Sequence, residues 1–220
     1  MSEQNAPKGA FIQRDKKTYA IVPRTPVGVI TPEILERIAG VAKKYEIPII
    51  KITSGQRLAL VGMDPEIVDT VWEELGTDIG PAVGKCVHYV QACPGTAVCK
   101  YGISNSLDLG MRLENLLVGT ELPAKGKMGV SGCPLCCAES FVRDIGVFAK
   151  RTGWTFVFGG NSGRNARIGD IIAEDLTEDQ VVELAEKCLE YYKTNAKPNE
   201  RTAKFVQRVG IEEFKKAVLQ

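Results

Sequence analysis

Long apolar runs are missing from this chain of 220 residues, and no stretch is apolar enough over a sufficient length to cross a bilayer. Its first residues, Met1–Asn5, are polar and charged, unlike the apolar segment of a secretory signal. Excess charge of one sign is also scarce, because the formal net charge is only +1. These absences argue against membrane insertion and against bulk binding to nucleic acid. We therefore expect a soluble, cytoplasmic protein that binds neither nucleic acid nor membrane.

The sequence also contains no low-complexity segment and no internal repeat, and histidine occurs once, as His88. His88 stands beside Tyr89 on an apolar stretch, where a histidine more often packs than binds a metal. With 44% hydrophobic and 25% charged residues, the chain can form a core without disulfide bonds. Its length allows one large domain or two small ones.

The pattern of apolar residues divides the chain into three parts. Residues 1–17 show neither a helical nor a strand period and are expected to form a flexible arm. Residues 18–80 predict a strand, a helix, two strands and a second helix, which is half of a doubled ferredoxin-like layer. Thr31-Pro32-Glu33 marks the start of the first helix, since it supplies an N-cap, a first-turn proline and an acidic residue.

Residues 81–220 predict an α/β domain, so the expected fold class is α+β, a ferredoxin-like half-domain followed by an α/β domain. We expect a helix over residues 97–118 and a strand over Lys127–Ser131 that ends just before a cysteine. A second strand, Trp154–Phe158, runs into a glycine-rich loop, and a last helix covers residues 201–218.

Seven cysteines are the most informative residues that are present. Four of them form a C-x5-C and a C-x3-C pair, Cys93 with Cys99 and Cys133 with Cys137. In a reducing compartment, clustered thiols are better explained as metal ligands or redox groups than as disulfides. Thiolates that reach in from loops are typical of a four-iron cluster. The C-x2-C spacing of Cys133 and Cys136 also occurs in structural zinc sites, so spacing leaves a cluster, zinc or unliganded thiols open.

Basic residues accompany these cysteines. Lys125 and Lys127 alternate on a predicted strand, so both ammonium groups can point into one pocket ahead of Cys133. The loop Gly159–Gly163 does not match a dinucleotide-binding motif; it indicates either close approach of a large ligand or a plain turn. An anion or a polyanionic cofactor would explain the cations, with ordinary solvated side chains as the alternative. The other cations of this region are Lys100, Arg112, Arg164 and Arg167.

Together these motifs resemble the siroheme-containing nitrite and sulfite reductase family. They lie in order over residues 52–170, which is more than half of the chain. The Ser-Gly-Cys-Pro context of Cys133 is the most specific of them. The matching stretches are Ile52–Leu58, Cys93-x5-Cys99, Leu122–Lys127 followed by Val130–Cys137, Gly159–Asn161, Arg164, and Arg167–Asp170.

The resemblance implies two cofactors. One is a 4Fe-4S cluster bound by Cys93, Cys99, Cys133 and Cys137, and the other is a siroheme whose iron shares Cys137 with that cluster. The implied reaction is the six-electron reduction of sulfite to sulfide, with nitrite reduction as the alternative within the family. Cys136 adjoins Cys137 and could exchange roles with it, although the spacing favours Cys137.

The resemblance also implies roles for basic residues. Lys125 and Lys127 match the family's paired lysines, and Arg57 lies in a strand similar to the substrate-facing one, so these three are candidates for binding the oxyanion and supplying protons. Siroheme carries many carboxylates that require cationic partners. The residues expected at the siroheme are Lys100, Arg112, Arg164 and Arg167, with the loop Gly159, Gly160 and Asn161 against the ring.

The chain departs from the family pattern at two points. Gly55 stands where some members carry an arginine, which weakens the assignment of that role to Arg57. Familiar members contain the unit twice, whereas this chain resembles the small single-unit sulfite reductases, so a monomer or a homodimer is expected. No flavin or nicotinamide site is visible, and we expect a separate, ferredoxin-like electron donor. A non-catalytic iron-sulfur or zinc module for electron transfer or binding is the rival interpretation.

Overall fold

The computed structural model describes residues 6–220 and divides into two compact units, Met1–Val83 (unit 1) and Gly84–Gln220 (unit 2). Among the described residues, no helix combines the length and the apolar character needed to cross a membrane.

Unit 1 is a four-stranded antiparallel sheet with two helices. Its strand order is β1-β2-β4-β3, and the helices pack on it through a core that includes Ile21, Ile38, Leu60 and Trp72. The succession of strand, helix, strand, strand and helix agrees with the prediction for residues 18–80. The elements are β1 (Ala10–Ile12), β2 (Tyr19–Ile21), α1 (Pro32–Lys44), β3 (Ile49–Ile52), β4 (Leu58–Met63) and α2 (Val68–Leu75).

The start of α1 forms as its sequence predicts. The Thr31 side chain accepts a hydrogen bond from the Ile34 N–H, and Pro32 occupies the first helical position. The helix buries Ile38, Val41 and Ala42, which recur at helical spacing on one face. The start of α1 can thus be read from its local sequence, and its apolar face is buried by packing.

The expectation of a flexible arm over residues 1–17 is wrong for residues 10–12. Ala10–Ile12 is strand β1, which pairs antiparallel with β2 through Ala10 opposite Ile21. A strand of three residues is too short to show a period in the sequence, so only its pairing reveals it. Residues 1–5 lie outside the described part of the chain.

Unit 2 contains a five-stranded sheet in sequential order, β5-β6-β7-β8-β9. Strands β5, β6 and β7 are parallel, whereas β8 and β9 are antiparallel to their neighbours. The predicted strands Lys127–Ser131 and Trp154–Phe158 are β6 and β8. The strands are β5 (Val87–Ala92), β6 (Gly126–Ser131), β7 (Ile145–Lys150), β8 (Gly153–Phe158) and β9 (Asp170–Leu176).

Two helix predictions in unit 2 need correction. Residues 97–118 are not one helix, because α3 (Ser106–Leu117) begins nine residues later at the N-cap Asn105. The N–H groups of Ile103 and Ser104 instead donate to the Gly132 carbonyl. Residues 201–218 form two helices that meet at Gly210, whose φ of 90° no helix tolerates. The remaining helices are α4 (Glu178–Asn195), α5 (Thr202–Val209) and α6 (Ile211–Val218).

The connection from β6 to β7, residues 132–144, lies directly on the sheet and is called the crossover below. A Cβ on Gly129 of β6 would stand 2.2 Å from the Ala138 carbonyl oxygen, and a Cβ on Gly146 of β7 would stand 1.7 Å from the Ser140 carbonyl oxygen. Ser140 also donates to the Val147 carbonyl at 2.9 Å. Glycines in two strands therefore let the crossover touch the strand backbones.

Candidate functional site

Two cysteines of the predicted set, the first of each pair, come together at one edge of the unit 2 sheet. Cys93 follows β5 and Cys133 follows β6, and parallel neighbours end at the same edge. The Cys93 N–H donates to the Val130 carbonyl at 3.1 Å, which continues the ladder up to the first of these cysteines. Both cysteines are buried. Sheet topology thus brings together two segments that lie 40 residues apart in the chain.

The two cysteine loops are in backbone contact. A Cβ on Gly132 would stand 2.7 Å from the Gly95 Cα, so only glycine allows the loops to meet. The Gly132 N–H donates to the Cys93 sulfur at 3.1 Å, and the buried Ser106 hydroxyl lies 3.3 Å from the same sulfur. The Gly132 N–H donation stabilises a thiolate at Cys93 and tunes the potential of a cluster that it binds, whereas the Ser106 hydroxyl donates its one proton to the Cys93 carbonyl at 2.7 Å.

The other thiols differ in exposure. Cys99 and Cys136 are half-buried, whereas Cys137 is exposed. Burial raises the pKa of the Cys136 thiol to about 11, and the Ser140 hydroxyl, which hydrogen-bonds to it, acts in the opposite direction. The nearby thiols of Cys133, Cys137 and Cys93 raise that pKa further. The thiols of Cys93, Cys133 and Cys137 are therefore all close enough to Cys136 to affect its pKa.

Within residues 6–220, no three His, Cys, Asp or Glu side chains are grouped as the ligands of a single metal ion would be. A four-iron cluster differs from such a site, since each of its thiolates binds a different iron. His88, the single histidine, is buried and its Nε2 lies 2.9 Å from the Gly84 carbonyl oxygen. This agrees with the prediction that His88 is a packed residue.

The predicted lysine pair lies at the start of β6, within a cluster of cations. Lys127 is half-buried, with its ammonium 5.9 Å from the centroid of the Tyr89 ring. Burial is the main cause that lowers the pKa of Lys127, and the charges of Lys125, Arg143 and Arg201 lower it further. Lys125 itself is exposed. We call Lys125, Lys127, Arg143 and Arg201 the cation cluster.

Asp144 is the buried acid of this region, with 3% of its side chain exposed. Arg201 donates to it through two nitrogens, with the Nη2–Oδ2 distance at 2.7 Å, and the Thr202 hydroxyl donates at 2.6 Å. The Lys127 N–H donates to the same carboxylate at 3.0 Å. The charge of Asp144 is thus paired with that of Arg201. Asp144 raises the pKa of Lys127, but this effect is smaller than the lowering by each of the three cations.

The glycine loop after β8 is a hairpin. Asn161 and Arg167 exchange backbone hydrogen bonds at 2.9 and 2.8 Å. A Cβ on Gly160 would stand 2.4 Å from the Arg143 carbonyl oxygen, so the crossover itself occupies the space beside this glycine. A Cβ on Gly159 would stand 3.0 Å from a methyl carbon of Val206. The loop is thus a hairpin whose Gly160 is required by the crossover, and the approach of a large ligand to it stays a prediction.

A basic cavity of about 440 Å³ lies between this hairpin and α5. Within the described residues, neither Arg164 nor Lys204 forms an ion pair, and both are exposed. Arg167 donates to the Gly159 carbonyl at 2.9 Å and pairs with Asp170, so it braces the hairpin. Arg201 is paired with Asp144 as described. The region of the cavity thus has a net charge of about +2. The positive residues are Arg164, Lys204, Arg167 and Arg201, and the negative ones are Asp170 and Asp144.

The remaining predicted residues have other neighbours. Arg112 pairs with Glu178 and with Asp179 at 2.5 Å, which ties α3 to the first turn of α4. Lys100 is exposed, with its ammonium 4.9 Å from the Tyr101 ring centroid. Arg57 belongs to unit 1, where its buried side chain donates to the Pro81 carbonyl at 2.8 Å.

Sequence reasoning missed several residues of this region. Tyr89, Arg143 and Asp144 surround Lys127, and Arg201, Lys204 and Gln207 line the cavity beside Arg164. One signal was available for part of this set. Arg143-Asp144 is a charged pair directly before an apolar run, Ile145–Ala149, and charged residues beside a buried segment are buried only when they have partners.

Comparisons with protein families match most of the chain. Residues 11–77 match the family described as "Nitrite/Sulfite reductase ferredoxin-like half domain". Residues 83–220 match the one described as "Nitrite and sulphite reductase 4Fe-4S domain".

Among curated proteins, the chain is 56% identical over 213 residues to an assimilatory-type sulfite reductase of Nitratidesulfovibrio vulgaris, covering 97% of this chain and 98% of that protein. It is 42% identical to a nitrite reductase (NAD(P)H) of Bacillus subtilis, covering 92% of this chain and 25% of that protein. The chain therefore spans about a quarter of that longer relative but nearly all of the shorter one.

Among solved structures, dissimilatory sulfite reductase I matches with a TM-score of 0.82 at 15% identity, over 92% of this chain and 69% of that one. The NirA protein of Mycobacterium tuberculosis matches with the same TM-score and identity, over 98% of this chain and 43% of that one. At this identity the two matches establish the fold.

Proposed function

The chain belongs to the nitrite and sulphite reductase family, and on that premise we propose that it is a sulfite reductase that converts sulfite to sulfide by six electrons. The family and the α+β fold class expected from the motifs are confirmed. The observation that carries the proposal is the 56% identity to a sulfite reductase over nearly the full length of both chains. Nitrite reduction is the second candidate, favoured by the 42% identity to a nitrite reductase.

The residues present fit the two cofactors of this proposal. The 4Fe-4S cluster would be held by Cys93, Cys99, Cys133 and Cys137. Cys93 and Cys133 are buried, and glycine contacts bring the two cysteine loops together. Cys137 is exposed and so is accessible to a second group, the siroheme. When bound, the cluster would pass on electrons received from an external donor, and the siroheme would supply the metal that binds substrate.

The cation cluster suits the binding and protonation of a small oxyanion. Lys125 and Lys127 would attract sulfite and pass protons to its oxygens, which leave as water, and each lysine would take up a new proton from solvent after every transfer. Burial and neighbouring cations lower the pKa of Lys127, which makes it a stronger acid than a solvated lysine. Arg57 of unit 1 remains a proposed third partner of the substrate.

The basic cavity suits the carboxylates of siroheme. Arg164 and Lys204 have no acidic partner among residues 6–220, and Gln207 and Asn161 add amides beside them. A guanidinium can bind a carboxylate through two hydrogen bonds. Lys100, Arg112 and Arg167 remain proposed contacts of the siroheme. Arg112 already forms an ion pair with Asp179, and Arg167 forms one with Asp170. Gly159 and Gly160 would act by shaping the hairpin beside the ring.

Electrons would come from a separate, ferredoxin-like protein. Thiol ligands require a reducing compartment, which supports a cytoplasmic location. A monomer or a homodimer is proposed for the assembly.

Anaerobic purification tests the function directly. We expect a coloured protein that contains iron, acid-labile sulfide and an extractable tetrapyrrole, and that consumes sulfite with a reduced viologen dye.

Lys125→Ala and Lys127→Ala should keep the chromophore and lose turnover by roughly 100-fold. Lys150→Ala is the control, because Lys150 pairs with Glu174 on the exposed surface. A colourless protein with stoichiometric zinc would refute the proposal, and faster nitrite turnover would select the second candidate.

Serine variants of two adjacent cysteines test the ligand assignment. Cys137→Ser should release siroheme or change its absorption band, because Cys137 is the exposed thiol. Cys136→Ser is the matched control and should keep both cofactors, since Cys136 is half-buried and hydrogen-bonded to Ser140. The measurement is the absorption spectrum with iron analysis of each purified variant. The opposite result would make Cys136 the shared ligand.

A further inference from the structure

Arg143 is a buried arginine that none of the motifs identified. Its side chain is 2% exposed and lies at the end of the crossover. Burial of a guanidinium is costly unless hydrogen bonds and charges compensate for it. Its Nη1 donates to the Tyr89 hydroxyl at 3.2 Å, and its Nη2 donates to the Glu139 carboxylate. Its Nε is buried and, within residues 6–220, has no hydrogen-bond partner.

These contacts connect the cysteine loop with the lysines. Glu139 is two residues beyond Cys137 and adopts a left-handed backbone with φ of 57°. Tyr89 stands on β5, and its ring has both Arg143 and Lys127 at 5.9 Å from the centroid. One side chain thus joins the segment that carries the exposed thiol to the ring beside the proposed proton donor.

The charges of this region do not balance. Lys125, Lys127, Arg143 and Arg201 supply four positive charges, against two negative charges from Asp144 and Glu139. Glu139 is half-exposed, so solvent screens its contribution. Like charges held together in a partly buried site cost free energy that a bound oxyanion would recover. An arginine placed here makes the site more receptive to an anion.

We propose that Arg143 is a positioning residue that holds the Cys137 loop and the Lys127 ammonium in fixed relation through Glu139 and Tyr89, and that its charge acts on Lys127. This inference rests on the proposed function and adds a residue to it. Its geometric part follows from the two hydrogen bonds and the shared ring. Its electrostatic part follows from the cations around Lys127.

The pH dependence of turnover separates the two parts. The groups that face Lys127 are Lys125 before β6, Tyr89 on β5, Arg143 and Asp144 at the end of the crossover, and Arg201 before α5. Turnover that needs protonated Lys127 falls as the pH rises through its pKa. Because the Arg143 charge lowers that pKa, its removal should move the alkaline limb to higher pH.

The experiment compares three variants of the holoenzyme. Arg143→Gln should lose turnover by roughly tenfold and shift the alkaline limb upward. Arg143→Lys should lose turnover similarly but keep the limb, because a lysine keeps the charge and cannot reach both partners as a planar fork does. Arg208→Gln is the control, since Arg208 pairs with Glu200 and is not among the groups that face Lys127, and it should change neither quantity.

A second readout does not depend on turnover. The siroheme absorption band of Arg143→Gln should differ from that of the wild type, because the loop carrying Cys137 is no longer tethered. If the wild-type holoenzyme reduces neither sulfite nor nitrite, the proposed function fails, and the band alone then decides the role of Arg143. If Arg143→Gln does not fold, Tyr89→Phe removes one hydrogen bond and should shift the same band. A wild-type band together with a wild-type pH profile overturns the inference.

Discussion

Lys127 shows how a single residue can be placed at a cost to stability. It is half-buried beside three other cations, and both burial and those cations lower its pKa. A solvated lysine would be more favourable for folding, but it would be a weaker acid and a weaker anion ligand. At this position the protein loses some folding stability and gains a more acidic lysine that binds anions better.

This exchange predicts the effect of Lys127→Met on stability. The folded-state pKa of Lys127 lies below the unfolded value of about 10.5. The unfolded chain therefore binds more protons between the two values, and wild-type stability should rise as the pH increases through that window. Lys127→Met should be more stable than the wild type at pH 7 and should lack this rise. Urea unfolding at pH 7 and at pH 10.5, the upper end of the window, measures both effects, and equal changes in stability for the two proteins would contradict the prediction.

At the scale of elements, the crossover determines which residues meet. It starts at the cysteine edge of the sheet, passes over Gly129 and Gly146, and ends at Arg143 and Asp144. Contact at backbone distance leaves no room for side chains on the strands below. The glycines in β6 and β7 are therefore required by packing, although glycine weakens a strand.

Alanine substitution at Gly146 tests this packing. A Cβ there would stand 1.7 Å from the Ser140 carbonyl oxygen, so Gly146→Ala should lower the free energy of unfolding by about 3 kcal/mol. Gly40→Ala is the matched control, since nothing lies within 4 Å of that position in α1. It should raise the free energy of unfolding by about 0.5–1 kcal/mol.

Each unit contains one of the two tryptophans, which allows the substitutions to be measured separately. Trp72 lies in the core of unit 1 and Trp154 in the core of unit 2. Urea unfolding of Gly146→Ala is followed by Trp154 fluorescence in a Trp72→Phe background. Gly40→Ala is followed by Trp72 fluorescence in a Trp154→Phe background. A small effect at Gly146 would show that the crossover moves away from the strand at little cost.

At the scale of the whole molecule, all four proposed cluster ligands belong to unit 2. Unit 1 has its own core, formed by α1, α2 and the strands of its sheet. A ligand that binds only the folded state stabilises the part that holds it. Removal of the cluster should therefore reduce amide-exchange protection over residues 93–137 more than over residues 38–75. Mass-spectrometric hydrogen exchange before and after iron removal measures this, and equal losses in both segments would contradict it.

Much of the molecule was predictable from short stretches of sequence. Thr31-Pro32 predicted the start of α1, and the Thr177–Gln180 capping box marks the start of α4. The cysteine spacing and its Ser-Gly-Cys-Pro context predicted the family. These features depend on residues within a few positions of one another, so local chemistry decides them.

The missed elements depend on distant partners. Strand β1 has three residues, and β7 is buried from Ile145 to Ala149, so neither shows an alternating pattern. Strand β9 pairs with β8 through register shifts, which break its period. Such strands form because neighbours supply hydrogen bonds and burial, and that information lies elsewhere in the chain.

The sequence by itself determined the ligand chemistry of this protein, because thiols and ammonium groups keep their chemical nature wherever they lie. Tertiary structure alone decided which of them meet. Arg143 and Tyr89 are 54 positions apart, yet they share a hydrogen bond beside Lys127. Three parallel strands and a crossover that rests on glycines bring these groups together. The physical reason is that pairing and packing between distant segments set the distances on which binding, pKa and proton transfer depend.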